Sequence, residues 1–192
     1  LNLPHDWAIE GDFAPSNPSG ASGGALPGGI GWYRKHFSVN PKEKYDRFTI
    51  TFDGVYMNST VYINGHKLGT RPYGYSTFEY DLTPYIYKKG DNVIAVKVDN
   101  SDQPNSRWYS GCGIYRHVWL TKTIKKAYIP QWGQYVSTTP QGDVKVKVDF
   151  LAQGSKMKLS IRNTIYDAKG KVVAKSQGNE VQQLKVKNPQ LW

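Results

Sequence analysis

Apolar and polar residues alternate with a period of two through much of the chain. Residues 47–52 (Arg-Phe-Thr-Ile-Thr-Phe) and 78–82 (Phe-Glu-Tyr-Asp-Leu) show it cleanly, and 32–37, 59–63 and 92–99, the last the best of them, also read as strands. That period sends successive side chains to opposite faces, so each run predicts a strand. Turn signals separate the runs: Asp53-Gly54, Gly90-Asp91 and Asn64-Gly65, the last a strong hairpin signal before 66–69. Residues 85–89 read as a single helical turn, and the Gly-, Pro- and Ser-rich stretch 11–31 as a long surface loop. Short, regularly spaced strands predict an antiparallel β-sandwich.

The texture changes after residue 121. Lysines at 122–126 and Pro130 suggest a linker, followed by strands at 144–150, 156–162, 164–167, 172–175 and 181–186, with a turn at 168–171. The expected organisation is two domains, 1–123 and 124–192, the second smaller and immunoglobulin-like in its spacing.

Charge fits this division. The chain carries a net charge of +10, but residues 1–123 hold 13 Lys and Arg against 11 Asp and Glu, and residues 124–192 hold 12 against 4. The surplus lysines alternate with valine and leucine at 144–148 and 184–187, which is the pattern of a solvated strand face rather than a nucleic-acid surface. No membrane span is read in the chain. Cys112 is the only cysteine and reads as a small hydrophobe; His5, His36, His66 and His117 lack ligand spacing. No cofactor or metal is expected. The start at Leu1 reads as processed or trimmed, with a periplasmic or extracellular setting favoured over the cytoplasm.

The candidate chemistry lies in residues 105–120 (NSRWYSGCGIYRHVWL), a Gly-rich corner followed by strand-like alternation from 114. A loop presenting Arg107, Trp108 and Tyr109 beside a sheet suits a polar, ring-shaped ligand. The bland alternatives are a core position for Trp108 and Trp119 and an acidic partner for Arg107. Gly111 and Gly113 suit a sharp backbone corner. His5-Asp6 has the look of a catalytic pair, but no Ser or Cys nucleophile sits in an activating motif, so a structural hydrogen bond is the better reading.

Six segments in order carry a resemblance: Leu3-Pro4-His5-Asp6-Trp7, Gly31-Trp32-Tyr33-Arg34, Phe52-Asp53-Gly54-Val55, Val61-Tyr62-Ile63-Asn64-Gly65-His66, Phe78-Glu79-Tyr80-Asp81-Leu82-Thr83, and Ser106-Arg107-Trp108-Tyr109-Ser110-Gly111 followed by Gly113-Ile114-Tyr115-Arg116. Together they resemble the N-terminal region of glycoside hydrolase family 2, closest to its bacterial β-galactosidases, over essentially the whole chain. The resemblance implies an all-β arrangement: a jelly-roll, galactose-binding-like β-sandwich and a smaller immunoglobulin-like β-sandwich. It also implies a TIM barrel with two catalytic glutamates, absent from these residues. Asn188-Pro189-Gln190-Leu191-Trp192 is similar to the end of the family's second domain. Glu10, Glu43, Glu79 and Glu180 fall in none of the family's catalytic motifs, so no catalytic residue is expected here. The implied role is to position substrate through Asn105, Arg107, Trp108 and Tyr109. Its implied partners are a β-galactoside or related oligosaccharide, the barrel of the same chain and, for the full-length enzyme, further copies of itself. A freestanding carbohydrate-binding module and a two-domain adhesion protein are the other readings.

Overall fold

Alternation becomes architecture wherever one face of a strand can be buried. In the computed structural model, which describes residues 1–153 and 159–191, the chain divides into two units, Leu1–Thr123 and Ile124–Trp192. The first holds β1 (Gly29–Phe37), β2 (Arg47–Phe52), β3 (Ser59–Ile63), β4 (His66–Arg71), β5 (Phe78–Asp81), β6 (Asn92–Asn100) and β7 (Val118–Thr123). Two antiparallel sheets, ordered β1-β6-β3-β4 and β5-β2-β7, form a β-sandwich. The alternation of β6 sends Ile94, Val96 and Val98 into the core, where they meet Phe48, Ile50 and Phe52 of β2 and Val61 and Ile63 of β3. Phe52 is 1% exposed and stacks on Phe78 with ring centroids 5.0 Å apart. Burying such a side chain contributes on the order of 1.5–3 kcal/mol.

The β3–β4 hairpin turns on Asn64 and Gly65, both at positive φ (49° and 84°) as a type I′ turn requires. The Asn64 side chain continues beyond its own turn. Its Oδ1 accepts the Val93 amide at 2.8 Å, and its Nδ2 donates to the Tyr85 carbonyl at 2.8 Å and to Asn92 Oδ1 at 2.9 Å. Asn92, fully buried, takes both the amide and the carbonyl of Tyr87. That explains one departure from the sequence reading: residues 85–89 form no helical turn, because a side chain satisfies the backbone groups a helix would have paired.

The second unit contains β8 (Ala127–Tyr128), β9 (Gln134–Thr138), β10 (Asp143–Val148), β11 (Leu151–Ala152), β12 (Ile161–Tyr166), β13 (Val172–Gly178) and β14 (Val181–Lys185). They form the sheets β14-β10-β9, β12-β13 and β11-β8. Val144, Val146 and Val148 face inward with Leu184, while Lys145 and Lys147 face outward. Lys147 pairs with Asp149 at 2.9 Å and Lys185 with Asp143 at 2.8 Å, so these lysines decorate a wet face. The expected linker is shorter than its composition suggests: Lys122 lies within β7 and pairs with Glu43 at 2.8 Å. The strand expected at 156–162 lies partly outside the described residues, as does Trp192.

Candidate sugar-facing loop

The loop after β6 is anchored by Asp6, far from it in sequence, and by Asn100, the residue from which it leaves β6. The N-terminal segment runs antiparallel to the loop's end, with His5 N–H donating to the Ile114 carbonyl (2.9 Å) and Trp7 N–H to that of Cys112 (3.1 Å). Between them, Asp6 Oδ1 accepts the amides of Ala8 (3.0 Å) and Cys112 (2.9 Å), and the Tyr109 hydroxyl donates to its Oδ2. His5 turns away from Asp6, contacting Tyr33 Oη at 2.8 Å and Glu10 at 3.2 Å. The His5-Asp6 dipeptide is a structural fastening.

Asn100 anchors the loop from beneath. It is 2% exposed, its Nδ2 donates to the Gly111 carbonyl (3.1 Å) and Cys112 Sγ (2.9 Å), and its Oδ1 accepts from Asn105 at 2.7 Å. Cys112 is buried and packs beside Ala8 and Leu26, and burial pushes its thiol pKa up. Gly111 and Gly113 sit at φ 79° and 119°, so the corner does use conformations that favour glycine. The strand expected from 114 begins later, at Val118, because Gly113 instead exchanges backbone hydrogen bonds with Tyr56, at 2.9 Å each.

Asn105 is exposed, yet most of its hydrogen-bonding capacity is used internally. Nδ2 donates to Asn100 and to the Asp102 carbonyl (2.9 Å), and Oδ1 accepts from Tyr56 Oη at 3.2 Å. One acceptor lone pair remains for a ligand. Arg107 is exposed with no ion-pair partner among the described residues, so its fork of donors faces water. Trp108 is 61% exposed and its Nε1–H reaches Tyr75 Oη at 3.3 Å, which removes it from the core. Trp119 is likewise a surface ring, held by Asp53 at 2.8 Å. Tyr109 is tied by its hydroxyl and offers mainly its ring.

The structure adds residues that the sequence reading passed over. Tyr73 and Tyr75 lie in the loop after β4; Tyr75 accepts the Trp108 indole N–H and packs on Tyr56 (5.2 Å between centroids) and on Tyr73 (5.7 Å). Asp6 was equally hidden, since its partner Cys112 lies 106 residues away. Glutamates here serve structure: Glu10 meets His5, Glu43 meets Lys122, and Glu79 meets Thr51 and Arg47.

Two phenols carry a pH consequence. Burial, offset in part by the Ile114 amide, pushes the Tyr33 pKa up to about 12. Burial and the hydrogen bond to the Asp6 carboxylate raise that of Tyr109 further above the ordinary value of about 10. A raised folded-state pKa means stability is intact below pH 10 and declines as the pH climbs through the folded values. Thermal melts should hold level to about pH 9 and fall beyond pH 10, with Tyr109→Phe giving a shallower fall. An alkaline limb identical in Tyr109→Phe would show that Tyr109 takes no part.

Residues 25–124 match the sugar binding domain of glycosyl hydrolases family 2. The chain is 54% identical to Beta-galactosidase BoGH2A of Bacteroides ovatus, aligned over 100% of this chain and 24% of that protein. Among solved structures, a glycosyl hydrolase family 2 member from Bacteroides cellulosilyticus superposes with a TM-score of 0.88 at 34% identity, covering 100% of this chain and 27% of its own. A beta-glycosidase from Bacteroides vulgatus gives 0.86 at 37%, covering 100% and 26%. The chain spans about a quarter of the length of these relatives. With more than half of its residues inside the family's sugar-binding region, the chain belongs to glycoside hydrolase family 2.

Proposed function

We propose that this chain is the non-catalytic N-terminal region of a retaining exo-β-glycosidase, a β-galactosidase in the first instance. Leu1–Thr123 acts as its jelly-roll sugar-binding domain and Ile124–Trp192 as its immunoglobulin-like domain. The loop 105–109 helps shape the sugar subsite of a TIM barrel carried by the longer protein. The observation that bears most weight is 54% identity, over the whole of this chain, to a β-galactosidase about four times longer, coupled with a loop that leaves Arg107 and Trp108 facing outward. Retaining hydrolysis needs two carboxyl groups roughly 5 Å apart across the scissile bond, and the glutamates Glu10, Glu43 and Glu79 are committed to contacts within the sandwich.

The test compares these 192 residues with the full-length protein on an aryl β-galactoside. The short chain should show no turnover and the long one should hydrolyse the substrate; robust hydrolysis by the short chain would sink the proposal. In the full-length enzyme, Trp108→Ala should lower kcat/KM about tenfold, equivalent to about 1.4 kcal/mol of transition-state binding. The exposed Trp108 ring favours one other reading, a freestanding carbohydrate-binding module. Titration of the short chain with lactose separates the two, since only a complete module binds tightly without the barrel.

A further inference from the structure

We infer that Tyr73 and Tyr75 extend the sugar-facing loop into a stepped aromatic surface that holds a β-linked oligosaccharide beyond its terminal unit. The inference rests on the reading that the loop carrying Trp108 faces the sugar, and it adds a substrate class: a single soluble chain rather than a disaccharide alone.

Three rings stand out of the sandwich in sequence, Tyr73 against Tyr75 and Tyr75 bonded to Trp108. Tyr73 is 59% exposed, Tyr75 43% and Trp108 61%. They are held there, not merely left there. The Trp108 indole N–H donates to the Tyr75 hydroxyl, and Tyr75 rests on Tyr56, itself 5% exposed. The intervening Gly74 lies so close to the Tyr56 ring that a Cβ would sit 2.2 Å from it, and its carbonyl accepts the Tyr115 hydroxyl at 2.8 Å. The Tyr73–Tyr75 loop is thus fixed from below, and its rings are presented in place. An exposed aromatic patch with this much support is the mark of a recognition surface, and rings fixed before binding lose little conformational freedom on it.

Chemistry selects the ligand. A β-linked pyranose has an apolar C–H face that stacks on a ring, and its edge hydroxyls suit the phenols of Tyr73 and Tyr75 and the guanidinium of Arg107. Orientation narrows it further. The Tyr73 and Tyr75 rings stand 68° apart, so they form a step and not a plane. A flat ribbon or crystalline surface needs coplanar rings; a single chain that turns between units fits a step.

The experiment is calorimetric titration of the full-length protein with thio-linked, non-hydrolysable β-galacto-oligosaccharides from disaccharide to pentasaccharide. Wild-type affinity should rise with chain length. Tyr73→Ala combined with Tyr75→Ala should weaken the longer members about tenfold and the disaccharide much less, while Tyr166→Ala, removing an exposed ring of the second unit, should alter none of them. Tyr73 stands at the edge of the cluster, its ring against Tyr75, so Tyr73→Ala alone decides the matter if the double variant fails to fold. Affinity independent of length, an equal loss at every length, or no binding at all would overturn the inference. So would a lowered Tm with unchanged affinities, which would mean that the rings pack against the rest of the protein. Failure to hydrolyse aryl β-galactosides would count against the proposed activity, and these isotherms would still decide the role of the rings.

Discussion

Asp6→Ala should destabilise the first unit by about 3 kcal/mol and lower its Tm by about 10 °C. The carboxylate takes three donors at once, the amides of Ala8 and Cys112 and the hydroxyl of Tyr109. Hydrogen bonds to a charged group contribute about 1.5–3 kcal/mol each when measured singly, but three on one half-buried group are not additive. The dominant cost is the Cys112 amide, which sits in a buried corner and is left without an acceptor. Asp6→Asn keeps an oxygen for the two amides and should lose only about 1 kcal/mol. Hydrogen exchange adds a spatial test: in Asp6→Ala the amides of 105–112 should exchange faster than those of β6. Equal melting of Asp6→Ala and wild type would refute the fastening.

Gly113→Ala should be at least as damaging, costing about 3 kcal/mol or more by two mechanisms together. A φ of 119° lies where L residues are strained, a cost of about 1–3 kcal/mol. An added Cβ would also lie 2.2 Å from Tyr33 Oη and 2.9 Å from the His5 carbonyl, forcing apart a well-packed corner at a further cost of about 1–3 kcal/mol. Gly90→Ala in the same unit separates the two contributions. Gly90 also has positive φ (92°) but nothing within 4 Å of its would-be Cβ, so only the backbone penalty of about 1–2 kcal/mol applies. Urea midpoints of the two variants measure the difference; matching midpoints would remove the steric part of the argument.

Legibility followed the range of the forces involved. Strands such as 47–52 and 78–81, and the Asn64-Gly65 turn, were readable because alternation and turn chemistry act between near neighbours. Strand β9 was missed because Gln134–Thr138 has no alternation and every residue in it is exposed; its pairing with β10 supplies the order. Trp108 and Arg107 were identifiable as candidates from residue type alone. The internal commitments of Asn105 were not, because they depend on Asn100 and Tyr56 arriving from other strands and loops. The same limit hid Tyr73 and Tyr75, two ordinary loop tyrosines until Tyr56 and Trp108 are set beside them.

The Asn64-Gly65 turn has a chemical consequence of its own. Asparagine followed by glycine ages readily, because the glycine nitrogen can attack the side-chain carbonyl carbon, expel the side-chain nitrogen as ammonia and close a cyclic imide that water reopens as aspartate or isoaspartate. Here that side chain is turned toward Val93, Tyr85 and Asn92 by three hydrogen bonds. The hairpin thus shelters its own most perishable bond while folded, and an acquired carboxylate at position 64 would record how long a molecule had spent open.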